Sequence, residues 1–290
     1  MQTSFTNDIQ RRFQESNIVM RLIYINIAVF ILQLILTIVR LDFVNTWFMF
    51  PADPLQAGTH IWSLLSYQFM HADPMHLLFN MLWLYWFGEM FLHFFKASQL
   101  LSTYLLGGFI GGLLFFVLYN LIPSLRASEA VLLGASASVT AIGVAVATYR
   151  PDLPIRMFII GEIKIKYVVG FMILLDFYNI QTGTNIGGNY SHVGGAFFGF
   201  FFGREMIKGR DITYAFSKLL EKIMWQYRRA THKGPMLRQP VNDRERDFNS
   251  NARKRSNQAE VDAILEKISK SGYASLSHEE KEILFRAGGK

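Results

Sequence analysis

The chain has 290 residues, of which 51% are hydrophobic and 15% aromatic, while only 18% carry a charge. Soluble proteins average roughly 25% charged residues. The residues before Arg204 are neutral in sum, so the net charge of +7 comes from the last part of the chain. This division excludes a wholly soluble enzyme. Cysteine is absent, which excludes disulfides, thiolate zinc sites and cysteine nucleophiles.

Six apolar stretches predict an all-α membrane protein with six transmembrane helices. Residues 22–39 form an uncharged run that is long enough to span a bilayer. The run lacks the small-residue cleavage site of a signal peptide, so it is predicted to be a retained helix. The next three spans are predicted at about 75–95, within 97–124 and within 130–149. The fifth is ambiguous, because Glu162, Lys164 and Lys166 interrupt it, and its core is taken as 167–175, extending through Asp176. The sixth, from about 190 to 203, is short for a bilayer.

The predicted domains are a cytoplasmic N-terminus at 1–18, a six-helix membrane domain at 19–207, a basic amphipathic linker at 208–258 and a small helix-turn-helix tail at 259–290. Lys and Arg flank alternate ends of the spans, with Arg11 and Arg12 on the same side as the basic tail. By the positive-inside rule, both termini of this multi-pass protein face the cytoplasm. The outer loop 41–74 is long and amphipathic, so it could lie in the membrane interface or in water.

Four polar residues stand out in the apolar spans, where buried polar groups are costly and indicate function: His76, Asn80, Ser136 and His192. Ser136 precedes Arg150 by about 21 Å of helix, and His192 precedes Arg204 by about 18 Å. The serine and the histidine are therefore expected at one depth. Asn80 lies between about 14 and 24 Å from the inner boundary, so its level is only bracketed.

A serine and a histidine at one level are the minimum for an activated nucleophile. His192 would take the proton of Ser136, while His76 and Asn80 would donate hydrogen bonds to the oxyanion. The Ser136 backbone N–H is a third donor if the serine opens its helix. The pair has no evident carboxylate partner. The carboxylates within the spans, Glu89 and Asp176, lie near opposite membrane faces, whereas a paired-aspartate mechanism would need two at one level.

Other interpretations remain open at this point. Each of the four polar residues, taken singly, also fits a hydrogen bond between packed helices. His71, Asp73, His76 and His192 could instead form a metal site, although their spacing is irregular. A transporter or channel is a further alternative, but it predicts polar residues inward of Ser136, where 142–147 is apolar or glycine. Gly195 and Gly199, like the glycines at 107–112, permit close helix packing.

Three motifs in the required order resemble the rhomboid family of intramembrane serine proteases. The segment from His71 through His76 to Asn80 resembles the family's His-x4-His-x3-Asn signature. Residues 134–137, Gly-Ala-Ser-Ala, resemble its Gly-x-Ser-Gly nucleophile motif, and 191–195 with Gly199 resemble its sixth-helix general-base motif. The resemblance covers about 62–203. A similar tail accompanies some bacterial members, particularly in the Bacteroidetes lineage.

The resemblance implies a six-helix rhomboid-like bundle in the inner membrane, with a Ser–His dyad in a water-filled cavity open to the outside. It implies cleavage of transmembrane protein substrates near their outer ends, without metal or other cofactor. By position, Ser136 is the nucleophile, His192 the base, and His76 and Asn80 the oxyanion donors, with Gly134, Gly195 and Gly199 in packing roles. The family also tolerates thin bundles, which would accommodate a short sixth span.

The sequence departs from the family pattern at three positions. Ala137 replaces the glycine after the nucleophile, which adds a methyl group where helices approach closely. Ser63 follows Trp62 where many members have arginine, and Thr140 stands where some members place a tyrosine against the base. These changes concern oxyanion geometry, substrate gating and base orientation. No reacting group is lost, so an active protease is favoured over the alternative, an inactive rhomboid-like protein that binds membrane clients.

The tail is predicted to be helical in two short pieces after a basic, lipid-facing linker. Residues 212–227 suggest an amphipathic helix at the inner membrane surface, and a basic cluster follows at 244–255. In 259–271 an apolar face predicts a helix ending at Gly272, and Ser277 and Glu280 have capping-box spacing. The apolar faces could pair with each other or dock a cytoplasmic partner. Lipids are the expected contact of the basic residues, and nucleic acid is not expected.

Overall fold

The structure is a computed structural model that describes residues 13, 15–126, 129–157, 161–231, 262–270, 272, 275–277, 280–281 and 284. The chain divides into two compact units, Met1–Gln226 and Tyr227–Lys290. The expectations for Arg11, Arg12, the basic cluster at 244–255 and the remainder of the tail concern residues that lie outside this described part.

Helices dominate the described part of the first unit. In chain order they are α1 (Ile18–Ile38), α2 (Pro74–Phe94), α3 (Ala97–Leu121), α4 (Ser136–Tyr149), α5 (Ile165–Thr182) and α6 (Ile186–Ile207), and α7 (Tyr214–Thr231) begins in this unit. The caps follow from local chemistry. The Asn17 side chain accepts the Met20 N–H at the start of α1, and Asp73 accepts the Met75 and His76 N–H groups before α2. Such caps satisfy amides that have no partner within the helix.

The segment between α1 and α2, here called the outer segment, folds into short helices and one short strand. It contains helices Phe43–Thr46, Pro54–Thr59 and Ser63–Ser66 and a 3₁₀ turn at Tyr67–Phe69. Strand β1 (Phe50–Pro51) pairs antiparallel with β2 (Val131–Leu132), which lies just before α4. The Ala52 N–H donates to Ala130 O at 2.9 Å and extends this pairing. The outer segment is thereby tied to the approach to Ser136.

The first unit is organised around α4, which packs against α2, α3, α5 and α6. Every residue of α4 from Ala137 to Ala147 is buried. Its small side chains let the neighbouring helices approach at backbone distance. A Cβ placed on Gly195, Gly199 or Gly203 of α6 would lie 2.1, 2.2 or 2.7 Å from a carbonyl oxygen of α4. Glycine in α6 is what permits this contact.

Large apolar side chains cover the outside of several helices. Exposed residues of this kind are Ile31, Leu32 and Ile35 on α1, Leu78 and Phe79 on α2, and Phe171, Leu174 and Phe177 on α5. Continuous apolar surface of this extent is unfavourable in water and typical of contact with lipid. Within the described residues, α1 and α3 are the helices that are both long and apolar enough to cross a membrane by themselves.

The ends of α5 and α6 differ from the sequence-based boundaries. Glu162 and Lys164 lie in a hairpin of β3 (Pro154–Met157) and β4 (Gly161–Lys164), not within the helix. Helix α6 begins at Ile186, so it has 22 residues and is not short. Gly187 and Gly188, which precede the expected start of the sixth span, are helical. A Cβ on Gly187 would lie 2.9 Å from Phe115 of α3, so the glycine serves packing rather than chain reversal.

The second unit contains a helical stretch at 262–270. Ile264 and Leu276 are buried there, whereas Leu265 is exposed. Ser277 and Glu280 exchange hydrogen bonds, each side chain accepting the other residue's N–H at 3.2 and 2.7 Å respectively. This reciprocal pair is a capping box.

Candidate active site

The four polar residues singled out in the sequence line one cavity of about 1200 Å³. Ser136 comes from α4, His192 from α6, and His76 and Asn80 from α2. The same cavity is bordered by Thr140, Asp176 and Asn189. Three helices thus bring together a hydroxyl, two imidazoles and an amide from positions up to 116 residues apart in the sequence.

Ser136 is the first residue of α4, and the residue before it provides no side-chain cap. The first amides of a helix have no partner within the helix and point outward from its end. The Ser136 N–H therefore lies where an anion at this helix end could accept it. Gly134, two residues earlier, has a φ of 122°, which favours glycine, and its N–H donates to Tyr67 O at 3.0 Å.

The register between α4 and α6 relates the depths of Ser136 and His192. Gly195 meets Ala137, Gly199 meets Ala141, and Gly203 meets Ala145. The same offset at three successive contacts means that the helices run parallel along this length. His192 lies one turn before Gly195, and Ser136 is adjacent to Ala137, so the two side chains differ by less than one turn along the helices.

In the described part of the chain, no hydrogen bond joins Ser136 Oγ to His192. Catalytic hydrogen bonds are often long without substrate and tighten in the complex. The shared cavity wall and the matched register are the geometric facts that relate the two side chains.

His192 has a carboxylate partner, contrary to the expectation that the pair lacks one. Its Nδ1 lies 2.8 Å from Asp176 Oδ1 of α5, and the side chains are only 18% and 13% exposed. Helices α5 and α6 form an antiparallel hairpin turned by Gly183, in the left-handed region, and Asn185. Asp176 and His192 stand equally far from Thr184 at the turn, which places them opposite each other.

His76 is held in a defined tautomer beside the serine. The Ala72 N–H donates to His76 Nδ1 at 3.3 Å, so the neutral ring carries its proton on Nε2. A Cβ placed on Gly134 would lie 2.9 Å from that Nε2 and 3.6 Å from Ser136 Oγ. The Nε2–H donor and the hydroxyl are therefore close to the same point.

Asn80 has one of its two amide N–H groups in use. Its Nδ2 donates to His76 O, one turn earlier on α2, at 2.9 Å. The amide carries a second proton, and Asn80 lines the cavity although it is only 7% exposed. One donor thus remains for a group bound in the cavity.

The three departures from the family pattern have distinct surroundings. A Cβ on Gly111 of α3 would lie 2.7 Å from the Ala137 methyl group, so this methyl packs between helices and not in the cavity. Thr140 lines the cavity and offers no ring to His192. In the outer segment, Trp62 Nε1 donates to Trp47 O at 2.9 Å, and Ser63 is fully buried.

The residues of the metal alternative do not form a ligand cluster in the described part of the chain, where no group of three His, Asp or Glu could hold an ion. His71 is 2% exposed, and its ring centroid lies 5.2 Å from that of His76. Burial, and secondarily the neighbouring His76, lower the pKa of His71 to about 4, so its ring is neutral at pH 7.

A family model for the Rhomboid domain matches residues 58–208, more than half of the chain. The chain belongs to the rhomboid family. The family prediction made from the three motifs is thereby confirmed, while the Bacteroidetes lineage stays a prediction. Membership makes this a membrane protein of a family that is generally composed of intramembrane serine proteases.

A second family model, a family of unknown function (DUF6576), matches residues 245–287 in the tail. A search among curated proteins found no match. The rhomboid match contains all four predicted site residues and Asp176, whereas the tail match lies wholly in the second unit.

Sequence reasoning missed one polar residue of the cavity and one buried polar contact of α4 outside it. One is Asp176. It could have been found because Asp176 and His192 are the same number of residues from the Gly183–Asn185 turn. The other is Gln68, whose Oε1 accepts the buried Ser138 hydroxyl at 2.9 Å. A Cβ on Gly108 of α3 would lie 2.3 Å from the Gln68 side chain. Gln68 belongs to the outer segment, and no sequence pattern pairs it with α4.

Proposed function

We propose that this rhomboid protein is a serine endopeptidase that cleaves transmembrane segments of other proteins near their outer ends. The observation that carries the proposal is the single cavity shared by Ser136, His192, His76 and Asn80, with the serine at the N-terminus of α4. A hydroxyl, a base and converging N–H donors around one space are what acyl transfer requires.

In the first half-reaction, His192 Nε2 takes the proton of Ser136 Oγ as the oxygen attacks the substrate carbonyl carbon. The carbonyl oxygen becomes an oxyanion in a tetrahedral intermediate. When this intermediate collapses, the C–N bond breaks and His192 gives its proton to the leaving amine. The product is an ester between the substrate's acyl group and Ser136.

In the second half-reaction, water attacks the ester carbonyl while His192 accepts its proton. The second tetrahedral intermediate releases the carboxylic acid as the C–Oγ bond breaks, and Ser136 recovers its proton from His192. The enzyme returns to its starting state, and one water has been consumed for each peptide bond that is cut.

The oxyanion is stabilised by donors whose positions are already fixed. His76 offers its Nε2–H because Ala72 occupies Nδ1, Asn80 offers its second amide N–H, and Ser136 offers its backbone N–H. Removal of one such donor typically lowers kcat by about 10²–10³-fold. These groups belong to rigid helices, so little reorganisation accompanies the reaction.

The same proposal assigns α1 to α6 to six membrane crossings of an inner-membrane protein, with both termini in the cytoplasm. The short apolar helix α4 and helices α2, α5 and α6 would add four crossings to the two clearly apolar helices. The basic residues of α7 and of the β3–β4 hairpin lie on the cytoplasmic side and face lipid headgroups. The reaction as written uses only side chains, backbone amides and water.

The proposal is tested by incubating purified protein in detergent with a single-span test substrate and comparing wild type with Ser136→Ala. We expect wild type to cut the substrate and the variant to lose cleavage by about 10⁴-fold or more, because the nucleophile is gone. A fluorophosphonate probe should label wild type and not the variant.

Equal cleavage by the two proteins would contradict the proposal and point to another nucleophile or a contaminant. If wild type neither cuts nor reacts with the probe, the alternative of an inactive client-binding rhomboid protein would replace it.

A further inference from the structure

A carboxylate inside the membrane domain contacts the proposed base. Asp176 Oδ1 lies 2.8 Å from His192 Nδ1, and both side chains are largely buried. Asp176 also borders the cavity that holds Ser136. Buried carboxylates in membrane helices are costly and are retained where they have a partner or a function. The reaction scheme above leaves Asp176 unused.

We propose that Asp176 is a positioning residue that makes the catalytic pair a Ser136–His192–Asp176 triad. This inference rests on the proposed protease function and deepens it. An ionised carboxylate has no proton to donate, so His192 Nδ1 must carry the proton of the 2.8 Å hydrogen bond. The lone pair is then on Nε2, the atom that has to receive the proton of Ser136.

The carboxylate also acts during the reaction. When His192 takes the serine proton it becomes an imidazolium, and the neighbouring negative charge stabilises it. Asp176 takes no proton in this scheme, and the proton moves only among Ser136, His192, the leaving group and water. Both side chains are largely buried, so a charge at this distance has a larger effect than it would have in bulk water.

The surroundings of His192 show why such a partner is needed in this chain. Thr140, one turn after Ser136, borders the cavity but has no ring that could hold the imidazole. His192 comes from the second turn of α6, and Asp176 is fixed opposite it by the Gly183–Asn185 turn. The orientation of the His192 ring is therefore set by its contact with Asp176 of α5.

The alternative is a purely structural hydrogen bond between α5 and α6. Glu89 provides a matched reference for that role, because its carboxylate accepts the Asn17 amide at 2.6 Å across two helices and does not border the cavity. Asp176→Asn and Glu89→Gln each replace a carboxylate by an amide of nearly the same shape. Each amide can still form one interhelical hydrogen bond.

The experiment measures kcat and KM for the single-span substrate with wild type, Asp176→Asn, Glu89→Gln and Ser136→Ala, together with thermal unfolding of each protein in detergent. We expect Asp176→Asn to lower kcat by at least about tenfold, and by up to about 10⁴-fold, with KM and unfolding temperature unchanged. Its amide can donate to Nδ1 and so favours the wrong tautomer. Glu89→Gln should keep the wild-type kcat.

Three results would overturn the inference. An Asp176→Asn protein with wild-type kcat, beside an inactive Ser136→Ala protein, would leave the protease function intact and remove the triad. If Asp176→Asn lowers both kcat and the unfolding temperature, or if Glu89→Gln loses as much kcat as Asp176→Asn, the role of Asp176 is structural. Equal cleavage by wild type and Ser136→Ala would overturn the protease function and this inference with it.

Discussion

The backbone at Gly134 is constrained in two independent ways. Its φ of 122° lies in a region that side chains strongly disfavour. A Cβ at this position would also come within 2.9 Å of His76 Cε1 and Nε2, closer than such atoms approach in proteins. The glycine thus lets the histidine donor stand beside the serine.

We predict that Gly134→Ala lowers kcat by about 100-fold, because His76 must move away from the position of the oxyanion. The measurement is cleavage of the single-span substrate, with unfolding temperature recorded in parallel. Gly209→Ala is the matched control, since Gly209 has a φ of 73° and nothing within 4 Å of its added Cβ. It should lose a similar amount of stability and keep its activity. A Gly134→Ala protein with normal kcat would contradict the prediction.

Single residues also show why some of the site could be read from the sequence. Ser136 and His192 lie on apolar helices that end in charged residues, so counting from Arg150 and Arg204 gave comparable depths. Asp176 was placed only roughly, near one membrane face, since the start of its helix was hidden by Glu162 and Lys164. Those charges belong to a β-hairpin. Its strands have only four residues each, too few for a clear strand pattern in the sequence.

The contact between α4 and α6 sets the distance between Ser136 and His192, the proposed nucleophile and base. Gly199 would place a Cβ 2.2 Å from Ala141 O and 3.0 Å from Ala141 Cα. Both are backbone atoms of α4, so they cannot turn aside as a side chain can. A methyl group here must push the two helices apart.

We expect Gly199→Ala to destabilise the protein by about 1–3 kcal/mol, the usual effect of overpacking a tight core. The separation of the helices should also reduce cleavage. Gly170→Ala is the matched control on α5, because nothing lies within 4 Å of its added Cβ. Alanine's helix preference alone should make that variant equally or slightly more stable. Thermal unfolding in detergent measures both. Indistinguishable unfolding temperatures would show that the contact is not tight.

Most helix positions followed from hydrophobic runs and charged boundaries, whereas the start of α6 did not. Gly187 and Gly188 suggest a turn when local propensity alone is considered. In the fold, Gly187 meets Phe115 of α3, and the tertiary contact outweighs the weak propensity. The pairing of Phe50 with Leu132 was equally invisible, because it joins two dipeptides 82 residues apart.

The absence of cysteine from the sequence makes the proposed topology directly measurable. Thr59 lies in the exposed outer segment, and Glu162 is exposed in the β3–β4 hairpin. The region around this hairpin is basic, and Lys166 and Lys164 together hold the pKa of Asp152 below its usual range. The positive-inside rule assigns this end to the cytoplasm.

We predict that a membrane-impermeant maleimide labels Thr59→Cys in intact cells or spheroplasts and labels Glu162→Cys only after permeabilisation. The wild-type chain, which has no thiol, is the control for background. Labelling of both positions from outside, or the reverse order, would refute the orientation and with it the assignment of the cavity to the outer face.

The ladder formed by β1, β2 and the Ala52–Ala130 hydrogen bond has a mechanical consequence. The outer segment is not an independent flap, because its backbone is fastened to the strand that leads into Ser136. Displacement of this segment would pull on Leu132, which is only four residues before Ser136. It would therefore also move the backbone at Gly134. If the protein is the protease proposed above, a substrate that enters by displacing this segment would also strain the loop before Ser136.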